Sequence, residues 1–265
     1  MTTIHLDKVT CSECGVESEQ RVIASTNALG SPDLDLRPPP MRRSTISHWL
    51  QACPNCSLVS SDLSEKEPGL GDILTSERYR SLERSGTARE LINRCLRRSL
   101  IDEHLGDIAQ AAEHALWAAW AADDAGDPSS ATYRAKAADL FLAATAGQPV
   151  GSQEAMVRRA RLIDILRRSE RWDEAVSLAD AVLATDGVDP SIRSVAQFGR
   201  SLAQRHDAAR HTVQDSMDIA AKESRSKDIK LEAIPQSMPE NANRPPVMTL
   251  VRRVFQQLFD FLGGR

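Results

Sequence analysis

The sequence predicts a mainly α-helical protein with a small zinc-ribbon-like module, built on a few short strands, at its N-terminus. Three observations lead there. Two C-x-x-C pairs, Cys11/Cys14 and Cys53/Cys56, stand near the start of the chain. Aromatic residues make up only 4% of the 265 residues, whereas strands draw on aromatic and β-branched side chains. From residue 72 onward, apolar residues recur with a helical period and are interrupted by capping and breaking residues. The expected division is a cysteine module over 1–68, a helical repeat-like domain over 72–222, a flexible linker over 223–246 and an amphipathic helix over 247–262.

Cys11-Ser-Glu-Cys14-Gly15 and Cys53-Pro54-Asn55-Cys56 are two knuckles separated by residues 15–52. Two residues between cysteines let both thiolates of a tight turn face one ion. Gly15 suits the left-handed backbone such a turn needs, and Pro54 stiffens the other. Together the knuckles supply four sulfurs, the tetrahedral preference of structural zinc, and leave no open position for water or substrate. One structural zinc ion held by Cys11, Cys14, Cys53 and Cys56 is therefore expected. Two unmetallated turns and an iron–sulfur cluster are the alternatives. The gap exceeds the roughly 15–20 residues of a compact ribbon, so something is inserted. His5 and His48 lie near one knuckle each and read as surface residues.

The insertion holds Gly30-Ser-Pro-Asp-Leu-Asp-Leu-Arg-Pro-Pro-Pro-Met-Arg-Arg. Its prolines and glycine oppose helix and predict an extended, stiff backbone. Asp33, Asp35, Arg37, Arg42 and Arg43 decorate it with both signs of charge. It reads either as a solvated loop packed on the cysteine module or as a preorganised partner-binding strip. Trp49 is expected to cover the metal site.

Cys11, Cys14, Gly30 to Pro39, Trp49, Cys53 and Cys56 together resemble an uncharacterised bacterial domain family. Its paired C-x-x-C knuckles flank a Gly-Ser-Pro-Asp-Leu-Asp-x-Arg-Pro-Pro segment. The resemblance implies metal binding and helical, often tetratricopeptide-like, regions after the cysteines, and it brings no established activity. The family's glycine after the last cysteine is Ser57 here.

Punctuation then marks the helices. Thr87-x-x-Glu90 is a capping box opening a helix to about Leu100, with Ala88, Leu91, Ile92, Cys95 and Leu96 on one face. Cys95 is thus a small core residue. A second helix runs from about His104 to Asp124 and carries Trp117 and Trp120 as core. Asp127-Pro128 opens a third, stopped by Gly147 and Pro149. Ser152 caps a fourth, to about Ser169. Asp173 to Thr185, Asp189-Pro190 to Gln204 and Asp207 to Lys222 complete the series. Arg171 to Leu183 looks like the second helix of a tetratricopeptide repeat, with Ala175 as the small crossing residue. Helix pairs starting near 153 and 190 repeat at 37 residues against the expected 34. An unrelated helical bundle is the alternative.

Residues 223–246 are charged and contain Pro235, Pro239, Pro245 and Pro246. Val247 to Leu262 are then expected to form an amphipathic helix whose apolar side includes Val251, Phe255, Leu258 and Phe259. These four are candidate partner contacts, by docking back on the array, by oligomerisation or by insertion into a partner.

The function classes narrow accordingly. A net charge of -4 gives no global attraction to phosphate backbones. No phosphate loop, nucleophile elbow or H-E-x-x-H helix occurs, so no enzyme is expected. Asp102, Glu103, His104, Glu113, His114, His206 and His211 read as solvated helix faces. No segment has signal-peptide or membrane-spanning character, which predicts a cytoplasmic address. The leading reading is a non-catalytic zinc-binding adaptor with a protein partner. The runner-up is a nucleic-acid-binding regulator using the seven arginines of residues 77–98.

Overall fold

Strands β1 (Thr3–Thr10) and β2 (Glu17–Ser25) pair antiparallel, with Leu6 opposite Arg21 and Thr10 opposite Glu17. The six residues that join them, Cys11 to Val16, are the first knuckle. After a short helix α1 (Pro40–Arg43) and a 3₁₀ turn (Ile46–His48), the arrangement recurs in miniature. Strands β3 (Gln51–Ala52) and β4 (Val59–Ser60) pair across Cys53 to Leu58, the second knuckle. Each C-x-x-C is therefore the tip of a hairpin. The computed structural model describes residues 1–83, 89–147 and 152–232.

Helices follow: α2 (Gly71–Thr75), α3 (Glu77–Glu83), α4 (Glu90–Leu105), α5 (Ile108–Ala125), α6 (Ser130–Thr145), α7 (Gln153–Arg168), α8 (Trp172–Leu183), α9 (Pro190–Gln204) and α10 (Val213–Glu232). From α4 on, each helix packs against the next, and α9 also packs on α7. The mainly helical class with a small cysteine-bearing strand region is the one the sequence predicts. Ser152 accepts a hydrogen bond from the Ala155 amide, and Asp189 from the Ser191 amide, so both expected N-caps form.

Other boundaries move for identifiable reasons. The first long helix continues to Leu105 because its stop is Gly106, left-handed at φ 81° and followed by Asp107 as the next N-cap. The helix expected from Asp207 begins at Val213. Asp207 instead accepts from the Ala209 amide in a local turn. Thr212 and Asp215 form a reciprocal capping pair, with amide-to-side-chain distances of 2.7 and 3.2 Å. That helix then runs to Glu232, so residues 223–232 are helical where the linker was expected to begin. Thr87, Pro149, the rest of the linker and the 247–262 helix with Val251, Phe255, Leu258 and Phe259 lie outside the described residues.

The main core joins Ala115, Leu116 and Trp120 of α5 to Met156, Ile163 and Leu166 of α7 and to Val195, Phe198 and Leu202 of α9. Leu34, Leu36 and Ile46 belong to that same core. The proline-rich insertion is thus part of the helical body and not a solvated loop on the cysteine module. Ala175 is fully buried, as the helix crossing requires, and at Gly199 an added Cβ would meet Ile163 Cγ2 at 2.9 Å. Among the described residues no helix is long and apolar enough to cross a membrane.

Candidate metal centre

Both knuckles fold by the same local rule. In the first, the Cys11 amide donates to the Val16 carbonyl (3.0 Å) and the Gly15 amide to the Cys11 carbonyl (2.8 Å). In the second, Cys53 donates to Leu58 (2.9 Å) and Ser57 to Cys53 (3.1 Å). The residue after each second cysteine must be left-handed to close this turn. Gly15 has φ 72° and Ser57 has φ 63°. Serine therefore holds a conformation that glycine adopts without a steric penalty, at a cost of about 1–2 kcal/mol.

The hairpin tips bring the four sulfurs together within 4.8 Å of one another. Cys11 Sγ lies 3.7 Å from Cys56 Sγ, and Cys14 Sγ 3.6 Å from Cys53 Sγ. Zinc–sulfur bonds of about 2.3 Å in a tetrahedron put neighbouring sulfurs about 3.8 Å apart. Four cysteines are therefore positioned to bind one metal ion, and the spacing fits zinc. Cys11 and Cys53 are buried and the other two half-buried. Burial pushes the Cys11 and Cys56 thiols up, whereas hydrogen bonds from the Asn55 side chain and the Val16 amide bring Cys14 down to about 6. Burial thus opposes ionisation of Cys11 and Cys56, which a bound cation would favour, the usual coupling of thiolate sites.

Leu58, Leu63, Leu70, Tyr79, Leu100 and Ile101 surround the cluster. The Tyr79 hydroxyl and Arg97 both donate to the Ser57 carbonyl, at 2.8 and 3.2 Å. Tyr79 and Arg97 are supports that the sequence reading missed, since nothing local pairs them with residue 57. Trp49 does not cover the sulfurs. Its ring stands edge-on to Trp117 at 4.8 Å and packs on the helical core. His5 and His48 take no place in the cluster. Cys95 is core, as expected, with burial pushing its thiol up to about 12.

The charged insertion goes elsewhere. A turn closes between Asp33 and Arg37, with Leu36 left-handed at φ 64°. The expected extended strip is therefore bent at its middle. Asp35 is fully buried and accepts from Trp120 Nε1 (2.8 Å) and the Arg37 amide (3.1 Å). Arg168 lies 3.3 Å and Arg134 3.6 Å from its carboxylate, and Arg161 donates to its carbonyl at 2.8 Å. Burial alone would raise the Asp35 pKa, but Arg168, Arg134, Trp120 and the Arg37 amide outweigh it and hold the carboxyl at about 2. Arg43 pairs with buried Asp33 at 2.7 Å, and Arg37 pairs with Asp124. Asp33, Asp35 and Arg37 thus face the protein's own helices. Of the five charged residues of the strip, Arg42 and Arg43, half-buried on α1, are the two that keep contact with solvent.

Several helix charges expected in solvent are inside too. Glu113 pairs with Arg161 (2.7 Å), and His114 with Asp102, and all four are buried. Arg94, Arg97 and Arg98 are also drawn inward, whereas Arg78 and Arg80 of α3 stay exposed. Arg94 donates to the Ser47 and Leu50 carbonyls at 3.2 Å, and Arg98 meets Glu67 at 2.8 Å and Asp102 at 2.7 Å. Arg89 pairs with Asp127 at 2.6 Å. No family model, curated protein or solved structure matches the chain. The resemblance of the cysteine segment to a bacterial family therefore rests on its own residues, and no repeat family is assigned to the helices.

Proposed function

We propose that the protein is a non-catalytic, zinc-binding adaptor in which one structural zinc ion, held by Cys11, Cys14, Cys53 and Cys56, fixes the N-terminal hairpins against the helical array. The observation that carries this reading is the set of four sulfurs within 4.8 Å of one another, two pairs of them at 3.6 and 3.7 Å. Thiolates fill every coordination position, so the ion would supply charge and cross-linking with no site left for a reacting ligand. Contacts with a protein partner would fall on outer surfaces, because the Asp33–Arg37 turn already fills the space between α5, α6 and α7. The inward bonding of Arg94, Arg97 and Arg98 leaves little cationic surface on α4, and Arg78 and Arg80 of α3 are the exposed arginines left among the described residues of 77–98, which disfavours the nucleic-acid reading.

The test is elemental analysis of full-length protein purified without chelator, paired with affinity capture before and after nuclease. One zinc per chain, lost in the Cys11→Ser/Cys53→Ser double variant, together with a nuclease-resistant protein partner that the variant fails to retain, is the expected result. Metal-free wild-type protein of equal stability would remove the zinc claim. Loss of every partner after nuclease would remove the adaptor claim.

A further inference from the structure

The first hairpin presents an unprotected edge. Strand β1 has β2 as its one strand neighbour among the described residues, and all of Thr3 to Lys8 is exposed. It contains no proline, so each residue keeps its backbone donor. No described helix or loop covers it. Ile4 and Leu6, 41% and 61% exposed, stand on one face, with half-buried Ile23 paired opposite Ile4. A two-stranded ribbon is marginal by itself in water, and a long open edge is a template for another strand. Here the first knuckle clamps one end of the ribbon and β2 ties its inner side to Ala52 through Gln20. The edge is thereby held in an extended form, facing outward.

The order of side chains along β1 selects the occupant. A second copy pairing antiparallel across a two-fold axis places residue i opposite residue j with a constant sum. An axis at His5, Asp7 or Lys8 sets that ionisable residue against itself. An axis at Ile4 or Val9 leaves only a few residues paired. An axis at Leu6 pairs residues 3 to 9 and sets Leu6 against Leu6, His5 against Asp7 twice, and Ile4 against Lys8 twice. Each Lys8 already faces Glu19 across its own hairpin, so no like charges are opposed on that face. The two Leu6 side chains join Ile4 and Ile23 of both copies in one apolar strip.

We infer that β1 is a self-association edge: two copies of this chain pair β1 to β1 antiparallel about Leu6, forming a four-stranded sheet. This goes beyond the adaptor reading and does not depend on it. A strand-edge contact buries little area, so the dimer forms reversibly with concentration.

The test is sedimentation velocity on the full-length, zinc-loaded chain over a wide concentration range, with two charge-swap variants. Asp7→Lys opposes His5 with lysine, and His5→Glu opposes Asp7 with glutamate. Both positions are exposed and outside the metal cluster, so zinc content and helicity serve as controls for folding. Wild-type protein is expected to shift from 29.1 kDa toward twice that mass. Each variant alone should associate about ten-fold more weakly: in His5→Glu two carboxylates stand directly opposite, and in Asp7→Lys the carboxylate facing His5 gives way to a cation. An equimolar mixture should recover the dimer. Across its axis the introduced lysine of one variant meets the introduced glutamate of the other, and the retained His5 meets the retained Asp7. Four results would overturn the inference: a monomeric wild type, a dimer indifferent to both swaps, a mixture that fails to recover, or dimerisation only after residues 233–265 are removed. The last would make the chain's own tail the occupant of the edge.

Discussion

Asp35 is the residue on which the placement of the N-terminal insertion turns, and Asp35→Asn tests it with almost no change in volume. The carboxylate balances Arg134 and Arg168 inside the array and accepts from both Trp120 and the Arg37 amide. An asparagine oxygen can serve one of those donors, while its NH₂ must face another donor. Arg134 and Arg168 would then keep Asp123 as their directly bonded carboxylate, at 3.0 and 2.9 Å. Two routes give the magnitude. A pKa held at about 2 against an ordinary 3.8 corresponds to about 2–3 kcal/mol in favour of the charged form. Removing one partner of a buried ion pair typically costs about 3–5 kcal/mol. About 3 kcal/mol is the figure to expect.

The assay is urea unfolding of zinc-loaded protein near pH 7, where 3 kcal/mol moves the midpoint by about 1 M at a slope of about 3 kcal/mol/M. The folded-state pKa is depressed, so the contribution is complete above about pH 4 and is lost as pH falls through about 2. The gap between variant and wild type should close over that window. Asp139→Asn, which removes a largely exposed partner of Arg171, serves as the control and should cost under about 1 kcal/mol. An Asp35→Asn protein within about 0.5 kcal/mol of wild type, or a gap unaffected by acid, would refute the argument.

Ser57→Gly should raise the melting temperature by the equivalent of about 0.5–1 kcal/mol. It relieves the left-handed serine and gives up only an exposed hydroxyl bond to Glu83; a lower melting temperature would contradict this. Gly199→Ala normally gains about 1 kcal/mol in a helix. Here the new Cβ would press on buried, β-branched Ile163 at 2.9 Å, so a net loss of about 1 kcal/mol is expected in urea unfolding, and a gain would show that α7 and α9 can separate freely.

What the sequence disclosed, and what it hid, follows from the range of each interaction. The knuckles were legible because their geometry is local: two residues between cysteines, then a left-handed position that glycine or its absence announces. The Ser152 and Asp189 caps are local in the same way. The fate of Asp33, Asp35 and Arg37 was not legible. Charges in a proline-rich run look solvated unless their partners are known, and those of Asp35, namely Trp120, Arg134 and Arg168, stand 85 to 133 residues away. Composition could not separate a buried pair such as Glu113–Arg161 from two surface charges on different helices. Trp49 misled for a related reason. Its neighbour in sequence is a cysteine knuckle, yet its neighbours in space are Trp117 and Trp120, which close a larger apolar surface.

The two features meet in a single loop. Residues 15–52 run from one knuckle to the other, and the Asp33–Arg37 turn is anchored in the helices midway along. A metal cross-link at the ends of this loop would lower the entropy lost when its middle docks. By the chain-entropy argument for a loop near 40 residues, the limit is about 4 kcal/mol. Removing the metal should therefore loosen the docked turn far from the sulfurs. The readouts are the amides of Leu34, bonded to the His211 carbonyl, and Val213, bonded to the Pro32 carbonyl, each at 3.0 Å. Hydrogen exchange at both should speed up on chelation, by up to about a thousand-fold if the full entropy is realised, while amides within α7 and α9 change less. Unchanged protection at Leu34 and Val213 in metal-stripped protein would mean that the helices alone hold the turn. The cysteine cluster would then stabilise only the hairpins it closes.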